Sequence, residues 1–343
     1  MKALVMTGYK EFSYENIPDP QIGDEDALIK VQACAICGSD VHGMDGSTGR
    51  RIPPVVMGHE ASGIIENIGK NVPGFKVGDR VTFDSTIYCG TCQYCKHGLI
   101  NLCDNRRVLG VSCGEYRKDG AFAEYVAVPW RILYRIPDSV SYEQAAMVEP
   151  LSVAFHAIRR SAITLNCSAA VIGAGMIGLL VIQLLKASGC GKIIAVDLIK
   201  EKLDMAKKFG ATSVFMADDP DLIAKIHEYT ENGGTDIAFE VVGITPTVNT
   251  ALSALRKGGA LTLVGNLSPS VDFPLQYVVT RQITLFGTCA SSGEYADCLD
   301  MIAGGKVDVD TFISAIAPLS EGASWFERLY GGEPGLMKVI LKP

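Results

Sequence analysis

The reading turns on Ala169–Asp197, AAVIGAGMIGLLVIQLLKASGCGKIIAVD. A short apolar run, Ala169 to Ile172, leads into Gly173-Ala174-Gly175-Met176-Ile177-Gly178, and the apolar segment that follows has the length and composition of a helix. A G-x-G-x-x-G pattern between strand and helix has a physical use. Gly173 makes the tight turn, Gly175 lets the backbone approach a pyrophosphate, and Gly178 lets the helix pack close, while the helix N-terminus offers unpaired N–H groups and a positive dipole end. The next strand, KIIAVD, ends at Asp197, nineteen residues past Gly178. A carboxylate there accepts the adenosine ribose hydroxyls and repels a 2′-phosphate, which selects NAD over NADP. Lys202, on the following helix, is placed to reach the same ribose.

Downstream, strand-like and helix-like segments keep alternating: SVFMA, a helix through Ile223–Tyr229, DIAFEVVG, a helix through Leu252–Arg256, ALTLVGN and ITLFG. Alternation of this kind predicts an α/β fold, a doubly wound parallel sheet with helices on both faces. Ligand contacts are expected at the carboxyl ends of its strands, at Val241–Gly243 and at Val264, Gly265 and Asn266. A helix over Tyr295–Ile302 and a closing strand, MKVILKP, complete the chain.

Upstream, residues 1 to about 150 read as a β-rich unit, with short strands such as ALIKVQAC, SGIIENIG, DRVTFD and AFAEYVAVP between closely spaced Gly and Pro turns. Within it, AICGSDVHGMDGSTGRRIPPVVMGHE (Ala35–Glu60) gathers Cys37, Ser39, His42, His59 and Glu60. Thiolate sulfur and imidazole nitrogen together suit zinc, whose catalytic sites take three protein ligands and leave a fourth position open. Taken locally, Cys37 reads first as a buried apolar residue and His59 as a satisfied loop histidine, and it is the rest of the chain that favours the metal. Further on, CGTCQYCKHGLINLC spaces Cys89, Cys92, Cys95 and Cys103 as C-x2-C-x2-C-x7-C. Four thiolates close a tetrahedral shell around a structural zinc; an iron–sulfur cluster is the competing occupant of such spacing. His97 among them reads as a surface residue. From Ser141 the pattern turns helical, and Pro150 is expected to break or kink the helix just after Glu149, baring that carboxylate. His156 reads as a core histidine.

At 343 residues, 48% hydrophobic and 20% charged, the chain has material for about two domains and a substantial core. A net charge of −7 with pI near 5.3 argues against nucleic acid or an anionic membrane as partner, which leaves a small molecule. The opening MKALVMTGYKEF has no signal-peptide core and no apolar run reaches a membrane span, so a cytoplasmic protein is expected. Eleven cysteines without a signal peptide point to metal binding rather than disulfides.

These residues resemble the zinc-containing medium-chain dehydrogenases over the whole chain, and most closely their polyol, sorbitol dehydrogenase-like branch. The signature G-H-E-x2-G-x5-G-x2-V is matched by Gly58, His59, Glu60, Gly63, Gly69 and Val72, followed by GFKVGDRV. CGSDVH (Cys37–His42) and EPLSVAFH from Glu149 look like the polyol branch, where a threonine-type enzyme is expected to show CGTDVH. The resemblance implies a GroES-like catalytic domain over 1–152 with the zinc lobe at 89–103, a Rossmann NAD-binding domain over 153–287, and a segment 288–343 returning to the catalytic domain. It carries Cys37, His59 and Glu60 over as catalytic zinc ligands, with Glu149 either a ligand or bound to the zinc water. Ile177, Asp197, Lys202, Val264 to Asn266 and Thr288 to Ala290 fall at NAD-contacting positions. Relatives pair through the Rossmann sheet, implying a homodimer or homotetramer.

One position departs from the pattern: sorbitol dehydrogenases carry a substrate-contacting arginine where this chain has Ala290. Arg50 and Arg51 are alternative attractors for a phosphorylated polyol, or simply a solvated surface pair. The activity implied is NAD-linked oxidation of a polyol's secondary alcohol to a ketose. Zinc acts as Lewis acid, and Ser39 begins a proton relay towards His42. A polyol-phosphate or threonine-type dehydrogenase is the alternative within the family. A zinc-independent reductase of the same fold and a non-enzymatic NAD- and zinc-binding module are the rivals outside it.

Overall fold

The alternation beginning at Ser168 builds a six-stranded sheet in the order Ser213–Met216, Lys192–Asp197, Ser168–Ile172, Thr235–Glu240, Leu255–Leu263, Thr284–Gly287. Every neighbouring pair in it is parallel. The Ser168–Ile172 strand lies between the strand that follows it and one added on its other side. The direction of winding therefore reverses there, and the carboxyl ends open as the ligand-binding edge of such a sheet. Its strands are apolar on both faces, and Ala170, Ile172, Ile194, Val196, Ala238 and Leu261 are buried together. That is the composition expected of a parallel sheet covered by helices.

The computed structural model describes residues 1–231 and 233–343. They form two units, Val153–Ala290, which holds the parallel sheet, and Met1–Ser152 together with Ser291–Pro343. In the second of these, the Asp26–Ala35 strand is central. It pairs antiparallel with Glu60–Ile68, Tyr125–Pro129 and the C-terminal strand Lys338–Lys342. Ala27, Ile29, Val31, Ile65, Phe83 and Phe122 fill the core on one side of this sheet. Phe326, from the helix Gly322–Tyr330, stacks on Phe12 and meets the edge of Phe122. Such ring contacts add about 0.5–1.5 kcal/mol each beyond the area they bury.

Two sequence expectations are corrected. The helix placed over Leu252–Arg256 instead spans Thr245–Ala254, and Leu255 already lies in a strand. Leu255 pairs with Thr235, and the Arg256 side chain bonds Asp236 at 2.7 Å, so sheet pairing overrides helical spacing at that point. The break expected after Glu149 comes earlier: one helix ends at Ala146 and the next runs Val148–Arg160. Pro150 thus falls in a first turn, where backbone N–H groups have no helical partner and proline costs nothing.

Candidate functional site

Strand register assembles the first group of candidate residues. Ala35, the last residue of one strand, pairs with Glu60, the first of the next. Cys37 follows the first strand by two positions and His59 immediately precedes the second, so one end of one ladder presents both. Gly58 makes the turn that aims His59: its φ is +92°, and a Cβ there would lie 2.8 Å from Cys34 Sγ and 2.9 Å from the Phe122 nitrogen. The short helix Gly38–Gly43 begins directly after Cys37, which is its N-cap.

The result is a cluster in which one ligand atom each from Cys37, His59 and Glu60 lie within 4.8 Å of one another. His59 and Glu60 are buried and Cys37 is half-buried. Glu149 is not a member of that cluster; its Oε1 accepts a 3.1 Å hydrogen bond from Ser85 Oγ. Burial pushes the Glu149 carboxyl up to about 7, against the pull of His59 and with help from Glu60 and Asp84. Burial also raises the Cys37 thiol well above its ordinary value, and the charge of Glu60 adds to it. Glu60 Oε1 and His59 Nδ1 are buried without hydrogen-bond partners. Soft sulfur, imidazole and carboxylate converging with unsatisfied buried atoms and excess negative charge make a donor set that fits zinc.

Residues that sequence reasoning passed over surround this cluster. Lys338, on the C-terminal strand, donates to Glu60 Oε2 at 2.6 Å and to the Ile36 carbonyl at 3.0 Å. Burial alone would favour its neutral form, but the charges of Glu60 and Cys37 outweigh burial and hold its pKa above the ordinary lysine value. Asp40 Oδ2 lies 3.4 Å from His59 Nδ1. Asp40 sat in view between Ser39 and His42, yet nothing local marks it as facing His59. Arg51 was expected as half of an exposed pair; it is 3% exposed and bonded to Asp40, so it belongs to no solvated anion-attracting patch. Arg50 is exposed.

Ser39 and His42 share the helix Gly38–Gly43 and are both exposed, and the Ser39 hydroxyl donates to Cys37 Sγ at 3.2 Å. Glu149, half-buried, is neighboured by a fully buried carboxyl, Asp84, which burial raises to about 7.

The four lobe cysteines also converge, with ligand atoms within 4.8 Å of one another. Backbone N–H groups of Cys89 and Cys92 point at Cys103 Sγ and Cys89 Sγ, at 3.2 and 3.4 Å. Hydrogen bonds from Thr91 and Cys92 lower the Cys89 thiol to about 5, while burial lifts Cys95 to about 12. Between Cys89 and Cys103 only Asn101 and Cys103 are buried, so this segment has almost no core of its own for a metal to supplement. His97 is exposed, its ring held by the Gln93 carbonyl, and His156 is buried, both as expected.

In the parallel-sheet unit, Gly173 has φ +100° and a Cβ on Gly178 would lie 1.9 Å from the Gly173 oxygen, so only glycine permits that approach. Gly175 caps the helix Met176–Ala187, in whose first turn Ile177 lies. Asp197, at the end of its strand, accepts from the Ala174 N–H at 2.7 Å and from the Ile199 N–H at 3.0 Å. Its carboxylate is thereby tied to the glycine turn. Lys202 lies in the first turn of Lys200–Phe209. Val264 and Gly265 donate to the Glu240 carbonyl at 2.9 and 3.0 Å, and Asn266 is exposed just beyond. Thr288 and Ala290 follow the edge strand, and Thr288 Oγ1 is buried without a partner.

A GroES-like unit bearing two clusters of side chains able to hold a metal ion, in one chain with a doubly wound sheet and its glycine turn, defines the metal-dependent, dinucleotide-linked oxidoreductases. Residues 23–138 match the alcohol dehydrogenase GroES-like domain and residues 177–304 the zinc-binding dehydrogenase domain. The sorbitol dehydrogenase of Bacillus subtilis (strain 168) is 35% identical, the match covering 100% of this chain and 97% of that protein. A probable D-xylulose reductase A of Neosartorya fischeri is 35% identical over 96% and 94% of the two chains. The structure of an alcohol dehydrogenase from Thermus sp. ATN1 superposes with a TM-score of 0.94 at 31% identity, covering 100% and 99%. The chain therefore belongs to the zinc-binding medium-chain alcohol dehydrogenase family, on its polyol dehydrogenase branch.

Proposed function

We propose that the protein is a zinc-dependent, NAD-linked polyol dehydrogenase that interconverts a secondary alcohol of a sugar alcohol with the corresponding ketose. The observation that carries this reading is the convergence of Cys37, His59 and Glu60 within 4.8 Å. Its relatives' names, a sorbitol dehydrogenase and a xylulose reductase, support the substrate class.

In this reading Cys37, His59 and Glu60 hold the catalytic zinc, with Glu149 a further carboxylate for the site, and Cys89, Cys92, Cys95 and Cys103 hold a structural zinc. Zinc held there would supply Lewis acidity towards an alcohol oxygen, and NAD would supply the hydride acceptor. The remaining work belongs to side chains. The Ser39 hydroxyl takes the proton from the substrate oxygen and passes it towards His42, which is exposed to solvent. Glu149, with a carboxyl near 7, is poised to hold or release a proton at neutral pH. Gly173, Gly175, Ile177 and Gly178 receive the pyrophosphate, Asp197 and Lys202 the adenosine ribose, and Val264, Gly265, Asn266, Thr288 and Ala290 the nicotinamide half.

The same reading divides the chain into a catalytic domain over 1–152 and 288–343 and a cofactor domain over 153–287, its return point lying just ahead of the boundary between Ala290 and Ser291 that separates the two compact units. Two copies pair through the edge strand Thr284–Gly287, where Leu285 is 39% exposed and the nearby helix bares Leu275 and Val279. Among the described residues no helix is long and apolar enough to cross a membrane, and no disulfide joins the cysteines; the cytoplasm is the proposed location.

A panel of four- to six-carbon polyols and their phosphates, followed by NADH formation with and without a chelator, tests the activity. Chelator-sensitive turnover of an unphosphorylated polyol is expected. Turnover confined to phosphorylated polyols or to threonine would move the protein to another branch.

A further inference from the structure

Among the described residues Arg51 is the one guanidinium buried beside the metal-ligand cluster, and its surroundings are specific. Nε and Nη2 both donate to Asp40 Oδ1, at 3.0 and 2.7 Å, and Nη2 lies 3.4 Å from Ser39 Oγ. Asp40 is fully buried. With Oδ1 committed to Arg51, the other carboxylate oxygen, Oδ2, faces His59 Nδ1 at 3.4 Å, and both of these atoms lack another partner. The path of the arginine is itself provided for: a Cβ on Gly43 would sit 2.7 Å from Arg51 Cγ.

We propose that Arg51 is a positioning residue of the catalytic metal site. It anchors Asp40 by one oxygen so that the other receives the Nδ1 proton of His59, which fixes the imidazole tautomer with Nε2 free for the metal. The same guanidinium holds the Ser39 hydroxyl beside Cys37. This rests on the zinc site proposed above.

A buried carboxylate with no cation carries an uncompensated charge that draws in water, and it would then orient His59 poorly. Two donors of one planar guanidinium on Oδ1 hold that oxygen in place and leave Oδ2 to His59, a tighter constraint than a single ammonium gives. A carboxylate that orients a ligating histidine changes metal affinity by about 10–100-fold when removed, and Arg51 acts one contact further out on the same chain of atoms.

The test measures zinc release from the full-length, zinc-loaded protein to a chromogenic chelator. Wild type, Arg51→Met, Arg51→Lys, Asp40→Asn and the Asp40→Asn/Arg51→Met double variant are compared. Wild type should release two zinc ions per chain in separate phases; a single phase that Cys103→Ser abolishes would remove the catalytic-site reading itself. Given two phases, Arg51→Met should speed release of the catalytic ion by about 10-fold or more, leave the lobe phase unchanged, and be partly rescued by lysine. The double variant should release no faster than the worse of its two parents, because both substitutions break one chain of contacts. Release by Arg51→Met within twofold of wild type, or rates that multiply in the double variant, would overturn the proposal. If Arg51→Met fails to fold, Arg51→Lys against Asp40→Asn decides: unchanged release in the lysine variant alongside fast release in the asparagine variant also overturns it.

Discussion

The ammonium of Lys338 lies 2.6 Å from the carboxylate of Glu60, across 278 positions of sequence, and the two side chains are 1% and 0% exposed. The pair ties the last strand of the chain to the ligand cluster. Removing one partner of a buried pair leaves an uncompensated charge, so Lys338→Met should destabilise the protein by about 3–5 kcal/mol. Thermal and urea denaturation check this; a loss below about 1 kcal/mol would refute it.

Gly178 admits no side chain, since a Cβ would meet the Gly173 oxygen at 1.9 Å. Gly178→Ala should therefore open the turn and weaken NAD binding by about tenfold or more, the equivalent of about 1.4 kcal/mol, with zinc content unchanged. Titration of NADH fluorescence gives the dissociation constant directly.

Asp197 accepts from the Ala174 N–H at the glycine turn, where the proposed function sets the adenosine ribose. Asp197→Ser should raise KM for NAD by about tenfold and lower the preference over NADP. The measurement is the ratio of kcat/KM for the two cofactors, and an unchanged ratio would show that Asp197 does not select between them.

Asp84 is buried, and burial together with the charge of Glu294 raises its carboxyl to about 7 although Thr86 and Ser291 pull it down. A raised carboxyl means the native state accommodates the neutral form. Its contribution is present below the ordinary aspartate value and is lost as pH rises through about 7. The Tm of wild type should accordingly fall from pH 6 to 8 by more than that of Asp84→Asn. Parallel melting curves for the two proteins would refute the assignment.

The lobe between Cys89 and Cys103 has almost no buried side chains of its own. Cys103→Ser should lower zinc content by about one ion per chain and loosen this segment to proteases, while NAD binding is kept. Acidification should release the same ion as the thiolates protonate. Metal analysis after gel filtration at pH 8 and pH 5 reads both effects.

The sequence by itself determined whatever rests on neighbours in the chain. The glycine turn at 173–178, the acid at Asp197 and the four lobe cysteines lie on segments short enough for spacing to fix geometry, and the structure places them as their spacing implied. Cys37, His59 and Glu60 were legible as residue types because each flanks a strand whose alternation is readable. Pro150 and the end of the helix at Ala254 were misjudged because proline is free in a first turn and because strand pairing at Leu255 outweighs helical periodicity. Only the tertiary structure decided the rest. Antiparallel register set Ala35 against Glu60, the closing strand brought in Lys338, and Asp40 drew Arg51 out of solvent. Charge pairing of this kind depends on which distant backbones share a ladder and on the cost of leaving a buried ion alone, and neither quantity is written in local pattern.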